Sequence, residues 1–277
     1  MIRFLESAPF CPISYSYEID NILYKKKTEY QELIVVENSY FGKIMLLDGV
    51  VQVTEKDEFF YHEMLTHIAM HAHPNPKRVV VIGGGDGGTV REVLRHSCVE
   101  QVYFIEIDIE VINAAREYFP TVACSVDSPK VIIKPMDGAL FIKETRDIDV
   151  VIVDSTDIVG FAESLFSEDF FGSVKTCLGE NGIFVTHTES LHFHKKMVIE
   201  MQHRLKGIFP IADLYTMPLT TYPGNWWAFA IASKSVDPRI PVHTCAAGTR
   251  YYDCEIHSQS FLTKGFYNKL INNRLDW

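Results

Sequence analysis

The chain has 277 residues, 47% of them hydrophobic and 22% charged, with a formal net charge of −10. That composition describes an ordinary globular protein with room for a sizeable core in two unequal domains. The acidic balance argues against general nucleic-acid binding, and no apolar run is long enough to span a bilayer. The start, Met-Ile-Arg-Phe-Leu-Glu-Ser, lacks the pattern of a secretory signal, and the six cysteines form no Cys-x-x-Cys pair. The expectation is a cytoplasmic protein with reduced thiols, no membrane contact and no nucleic-acid partner.

In chain order, short β-rich runs come first, at Ile13–Ile19, Gln31–Val36, Ile44–Leu47 and Val50–Thr54. Turn signals separate them, which predicts a small antiparallel sheet. Asp57–His71 places Tyr61, Met64, Leu65 and Ile68 on one helical face. His73-Pro-Asn-Pro-Lys77 then breaks that helix and makes a domain joint. The expected division is 1–56 and 57–277, with 57–77 as connecting helix and joint. From Arg78 onward strands and helices alternate: strands 79–83, 102–106, 130–134, 149–153 and 183–187, with helices 87–95, 110–118, 138–144, 168–177 and 195–207. Two last strands, 213–217 and 226–232, have no helix between them. This is an α/β pattern, a mostly parallel sheet with an antiparallel end.

The most informative stretch is Val79–Arg95, where four apolar residues run into Gly83, Gly84, Gly85, Asp86, Gly87 and Gly88 and then a helix. Gly83, Gly85 and Gly88 fit G-x-G-x-x-G at a strand–turn–helix junction. Glu106 and Asp108 follow about 20 residues on, where an acid that grips a ribose belongs. Asp86 inside the turn does not suit a pyrophosphate. A carboxylate there welcomes a cation, so a nucleoside bearing a sulfonium and an amine fits better than NAD. S-adenosylmethionine and its decarboxylated form are such nucleosides.

Ligands of these sheets bind beyond the carboxyl ends of the strands. Asp86, Glu106, Asp137 and Asp154 all fall there. Asp154 ends an apolar strand and Asp157 lies three residues on, so one can take a proton while the other holds a charge. An Asp capping a turn is the simpler alternative. Likewise Tyr61 on an apolar helix face could be a core aromatic. His187, His192 and His194 match no standard zinc spacing, so no metal is expected.

Five stretches carry a resemblance: Tyr30-Gln31; Leu47-Asp-Gly-Val-Val-Gln52; Asp57-Glu-Phe-Phe-Tyr-His-Glu-Met64; Gly83–Gly88 with Glu106-Ile-Asp108; and Asp154-Ser-Thr-Asp157 with Ala162-Glu-Ser-Leu-Phe166. Thr221-Tyr-Pro-Gly224 and Arg250-Tyr-Tyr-Asp253 add to it. The chain resembles the polyamine aminopropyltransferases, the spermidine synthase family, from about residue 20 to about residue 265. The resemblance implies a Rossmann-like sheet of class I methyltransferase type behind a small N-terminal antiparallel β domain. It also implies a homodimer or homotetramer. The implied reaction moves the aminopropyl group of decarboxylated S-adenosylmethionine, a co-substrate rather than a cofactor, to an amine, releasing methylthioadenosine. Putrescine is the first choice of acceptor; cadaverine, agmatine and spermidine are alternatives.

By the same resemblance Asp154 is the base and Tyr61 helps orient the amine. Asp157 and Tyr222 bind the acceptor. Asp86 holds the donor's amine, Glu106 the ribose, and Asp137 and Gly138 the adenine. Gln31 and His62 contact the donor's aminopropyl end and sulfonium side. The chain departs from the family at Ile158 and Phe161, where prolines are usual, at His187 for Gln, at Leu191 for Pro and at Thr263 for Pro. Two other functions compete: a methyltransferase using intact S-adenosylmethionine, whose extra carboxylate Asp86 would repel, and a polyamine or nucleoside sensor, which would need no strand-end base.

Overall fold

A computed structural model describes residues 2–7, 12–156, 160–243 and 248–275. Strands β1 (Ile2–Ser7) and β2 (Ser14–Ile19) pair antiparallel. Strands β3 (Asn21–Lys27), β4 (Glu32–Asn38), β5 (Gly42–Leu47) and β6 (Val50–Thr54) form an antiparallel sheet in sequence order. Both faces are buried: Leu33, Val35, Met45 and Val53 enter the main core, while Val36, Ile44, Leu46 and Val51 pack with Ile19 in a smaller one, a register shift between β5 and β6 setting Val51 and Val53 on opposite faces.

Helix α1 (Glu58–Ala72) follows. It is buried on nearly every side, including Glu58, His62, Glu63, Thr66, His67 and His71, where one apolar face was expected. Its apolar residues share the main core with the β3–β6 sheet and with the larger sheet that follows in the chain, so its polar residues are also enclosed and need partners. Glu63 shows the solution: its carboxylate accepts from the backbone N–H groups of Arg250, Tyr251 and Tyr252 at 2.7–2.8 Å.

The remaining elements are β7 (Arg78–Gly83), α2 (Gly88–Leu94), β8 (Gln101–Ile105), α3 (Ile109–Tyr118), β9 (Val131–Lys134), α4 (Gly138–Glu144), β10 (Ile148–Asp154), α5 (Glu168–Cys177), β11 (Leu178–Ser190), α6 (Lys195–Ile208), β12 (Ile211–Pro218), β13 (Trp226–Ser233), α7 (Cys254–Ser260) and α8 (Lys264–Ile271). Seven strands form one sheet in the order β12-β13-β11-β10-β7-β8-β9. The five from β11 to β9 are parallel and β13 runs antiparallel to both its neighbours. The runs Val79–Ile82 and Val150–Val153 are buried, as strands covered on both faces must be. Register pairs Asp154 with Gly83, which sets the end of β10 beside the start of the glycine turn.

Several elements went unforeseen: β1, β3, a 3-10 turn at Gly160–Phe166, α7 and α8. One expectation is corrected. Cys98, Cys124 and Cys177 are free thiols, but Cys254 is disulfide-bonded. Spacing along the chain does not reveal which cysteines the fold brings within bonding reach. No helix among the described residues is long and apolar enough to cross a membrane.

Candidate active site

Beyond the strand ends lies a cavity of about 490 Å³, within the range of small-molecule sites. Its walls include Gln31, Tyr61, the turn Gly83–Asp86, Glu106, Asp137, Gly138, Asp154 and Tyr222. Gly87 and Gly88 continue the turn into α2, and Gly84 shows why it needs glycine. Its φ is +67°, and a Cβ there would come within 2.4 Å of Asp154 Oδ2.

Asp154 is buried at the end of β10. Tyr61 on α1 donates its hydroxyl to Oδ1 at 2.9 Å, and Thr89 on α2 donates to Oδ2 at 2.6 Å. Three elements therefore fix one carboxylate. Its pKa is nevertheless raised from 3.8 to about 6, by burial first and by the Asp86 charge second. Glu106 rises to about 7, chiefly by burial, even though Oε1 accepts the Asp108 N–H at 2.9 Å. Burial also raises the Tyr61 hydroxyl well above 10, so it remains a proton donor to Asp154.

Asp86 turns back to accept the Gly88 N–H at 2.7 Å. The same oxygen lies 3.2 Å from His62 Nε2, and His62 Nδ1 lies 2.6 Å from Glu58. Burial opposes a charge on His62, but Asp86 and Glu58 outweigh it and lift its pKa well above 6.5. Ligating atoms of His62, Asp86 and Asp154 fall within 4.8 Å of one another. The two carboxylates that flank both ring nitrogens favour the protonated ring, and a protonated imidazole has no lone pair to offer a metal. His62 itself stands behind Asp86, outside the lining of the cavity.

Around the rim, Gln31 Nε2 donates to Asp108 Oδ2 at 3.0 Å, as does the Thr28 hydroxyl at 2.7 Å. Asp137 caps α4 through the Ala139 N–H at 2.6 Å. Tyr222 donates to the Gln52 carbonyl at 2.5 Å and packs edge-on to Tyr61, ring centroids 5.6 Å apart. Asp157 and Ile158 lie outside the described residues, as does the side chain of Phe161.

A smaller cavity of about 30 Å³ adjoins the first and shares Val50, Gln52, Tyr61, Ser155 and Tyr222 with it. Glu6, His187, Glu189, His194 and Trp227 are among its other walls. His187 stacks on Trp227 at 6.1 Å, and burial lowers its pKa to about 4, so it is neutral. Sequence reasoning missed Glu6, Glu58, Thr89, Arg91 and Glu189. Glu58, Thr89 and Arg91 stood inside stretches quoted above, whereas Glu6 lay outside any pattern.

His67, His71 and His96 form a second buried group. His67 Nδ1 lies 2.9 Å from His96 Nε2, and His67 Nε2 lies 3.1 Å from Glu92. Two nitrogens on one tetrahedral zinc would stand about 3.3–3.4 Å apart, given Zn–N bonds of about 2.0–2.1 Å. The shorter contact is a hydrogen bond in a Glu92–His67–His96 chain.

Comparison with known proteins agrees with this architecture. The family model described as the spermine/spermidine synthase domain matches residues 58–242, and that of the spermidine synthase tetramerisation domain matches residues 4–55. A polyamine aminopropyltransferase of Hydrogenobaculum sp. (strain Y04AAS1) is 49% identical over 277 residues, covering 100% of this chain and 99% of that protein. Polyamine aminopropyltransferase 1 of Aquifex aeolicus is 48% identical over 98% of this chain and 97% of its own length. A crystal structure of a spermidine synthase in complex with the transition-state analogue AdoDATO superposes with a TM-score of 0.92 at 35% identity, covering 98% and 95% of the two chains. The spermidine synthase of Thermotoga maritima gives 0.91 at 34%, covering 98% of this chain and 94% of that one. From these matches the chain belongs to the spermine/spermidine synthase family and is a polyamine aminopropyltransferase.

Proposed function

We propose that the enzyme transfers the aminopropyl group of decarboxylated S-adenosylmethionine to putrescine, giving spermidine and methylthioadenosine. The observation that carries this reading is the placing of Asp154. It is a buried carboxylate with a pKa raised to about 6, set between Tyr61 and the glycine turn that carries Asp86.

An alkyl ammonium has a pKa near 10.4, as for Lys, so its nitrogen must lose a proton before it can attack. Asp154 takes that proton. The nitrogen lone pair then forms a bond to the methylene carbon beside the sulfonium, the C–S bond breaks, and its electron pair stays on sulfur as a neutral thioether. Positioning the two reactants in line supplies much of the acceleration. On the donor side, Asp86 pairs with the amine, Glu106 with the ribose hydroxyls, and Asp137 and Gly138 with the adenine. Gln31 faces the aminopropyl end. Bringing a dication into a site lined by Asp86, Glu106, Asp137 and Asp154 favours these acids as carboxylates. Intact S-adenosylmethionine would add a carboxylate facing Asp86, which is unfavourable.

The acceptor's remote ammonium is assigned to Asp157, with Tyr222 along the chain. The small adjoining cavity, walled by Glu6 and Glu189, supports a cationic remote end. The match of residues 4–55 to a tetramerisation domain supports assembly of copies through the N-terminal β domain, taken as residues 1–56, into a homotetramer or homodimer. A cytoplasmic location fits such metabolism.

A panel assay tests this reading. Putrescine, butylamine, cadaverine, agmatine and spermidine are each offered with decarboxylated S-adenosylmethionine, and methylthioadenosine is followed. Putrescine should give the highest kcat/KM. Butylamine should lose about 10- to 150-fold, the worth of one charge-assisted contact of about 1.5–3 kcal/mol. Equal rates with butylamine would remove the remote anchor, and preference for another amine would change the acceptor's name.

A further inference from the structure

A line of buried charge runs from the edge of α2 to the base. Arg91 donates from Nη1 and Nη2 to both oxygens of Glu58, at 3.0 and 2.8 Å. Glu58 meets His62 Nδ1 at 2.6 Å, His62 Nε2 meets Asp86 at 3.2 Å, and ligating atoms of His62, Asp86 and Asp154 lie within 4.8 Å. A Cβ on Gly88 would fall 2.3 Å from the His62 ring, so the helix N-terminus is closed tightly around it.

We infer that His62, a buried imidazolium between Asp86 and the Arg91-anchored Glu58, is a positioning residue that fixes Asp86 and sets the charge of the base Asp154. The inference rests on the aminopropyl-transfer reading of the site.

The argument is electrostatic. Asp154 and Asp86 are like charges in one buried pocket, and each resists ionisation of the other. A cation beside both relieves that resistance, and His62 does lower the proton affinity of Asp154 against the effect of Asp86. An imidazolium between two carboxylates in a buried site would be costly to lose, since burial alone favours the neutral ring. Glu58 is itself held well below the usual carboxylate range, near 2, because His62 and Arg91 outweigh its burial. Arg91 is shared with Glu92. The other groups facing this pocket are Tyr61 from α1, Thr89 from α2, Glu106 and Asp108 from the end of β8, Ser155 beside neutral His187, and Tyr222. Among these described neighbours none is a cation that could replace His62.

The test is the acid limb of the kcat/KM profile, which reports the base in the free enzyme. In His62→Gln the amide keeps a hydrogen-bond donor toward Asp86 but no charge. The midpoint of the limb should rise by about 1 or more on the pH scale, as for loss of an opposite charge within ~4–6 Å. Glu58→Gln should move the midpoint the same way, and the double variant should move no further than His62→Gln, because both act through one cation. Nitrogen-15 NMR of the unmodified enzyme should show both His62 ring nitrogens protonated at neutral pH. A neutral ring, or a loss of rate at every pH with the midpoint unmoved, overturns the inference. If the unmodified enzyme transfers no aminopropyl group, the functional reading fails by itself. The NMR spectrum then still decides the charge of His62.

Discussion

Helix α1 carries two groups of buried histidine with opposite fates. His62 is driven well above its ordinary pKa, while about two and a half turns beyond it His71 falls to about 3, and its neighbour His96 falls to about 2. Burial is the largest influence on all three and pushes each toward the neutral ring. The neighbours decide the outcome. His62 faces Asp86 and Glu58, whereas His71 and His96 face other imidazoles. Glu92, the carboxylate of the second group, is shared between His67 and the guanidiniums of Arg91 and Arg95. Burial sets the stakes, and the sign of the nearest charge sets the protonation state. The first group backs the acid-lined cavity through Asp86, and the second packs against Tyr252 in the core.

The contrast breaks most sharply at the base. Asp154→Asn should lower turnover by about 10²–10⁴-fold while leaving the donor bound, the usual range for a general base. Steady-state rates with a separate measurement of donor affinity check it. Asp86→Asn comes next. Affinity for decarboxylated S-adenosylmethionine should fall by about 10- to 150-fold, and its advantage over intact S-adenosylmethionine should shrink. Calorimetry with both nucleosides reads this, and an unchanged preference would place the discrimination elsewhere.

Legibility in the sequence followed physical range. Asp86, Glu106, Asp137 and Asp154 were visible because strand ends and glycine turns are local patterns, and the parallel sheet brings such ends to one rim. The partnership of Glu58 with Arg91 joins residues 33 positions apart, and Glu6 reaches the N–H of Val51 across 45. Only the fold places them together. Strand β3 escaped because Lys25, Lys26 and Lys27 disrupt its alternation; charged lysines suit an edge strand, which β3 is. Helix α1 gave its apolar face correctly, but nothing in its periodicity said that its polar face was also enclosed.

Two smaller effects sharpen the same comparison through stability. Asp154 and Glu106 are raised to about 6 and about 7 in the folded state, so their contribution is full below their unfolded values and is lost as pH rises toward 6–7. At neutral pH both therefore cost stability, and Asp154→Asn should stabilise the ligand-free protein by about 1–3 kcal/mol, seen as a higher Tm. The same variant is then slower and more stable. His71 has the opposite sense. Its pKa is depressed, so its contribution is present above about 6.5 and is lost as pH falls toward 3. His71→Phe should flatten the loss of stability between pH 6.5 and 5 by about 1 kcal/mol, read from denaturant midpoints across that window.

The pH dependence of kcat/KM for the unmodified enzyme and for Asp154→Asn tests the central claim most directly. With Asp154 as the base, the unmodified profile should bend near pH 6 and flatten above it. The variant has no such base, so its rate should keep rising roughly tenfold per pH unit as free amine appears, up to the acceptor's own pKa near 10. Parallel profiles for the two proteins, both bending near pH 6, would contradict the account.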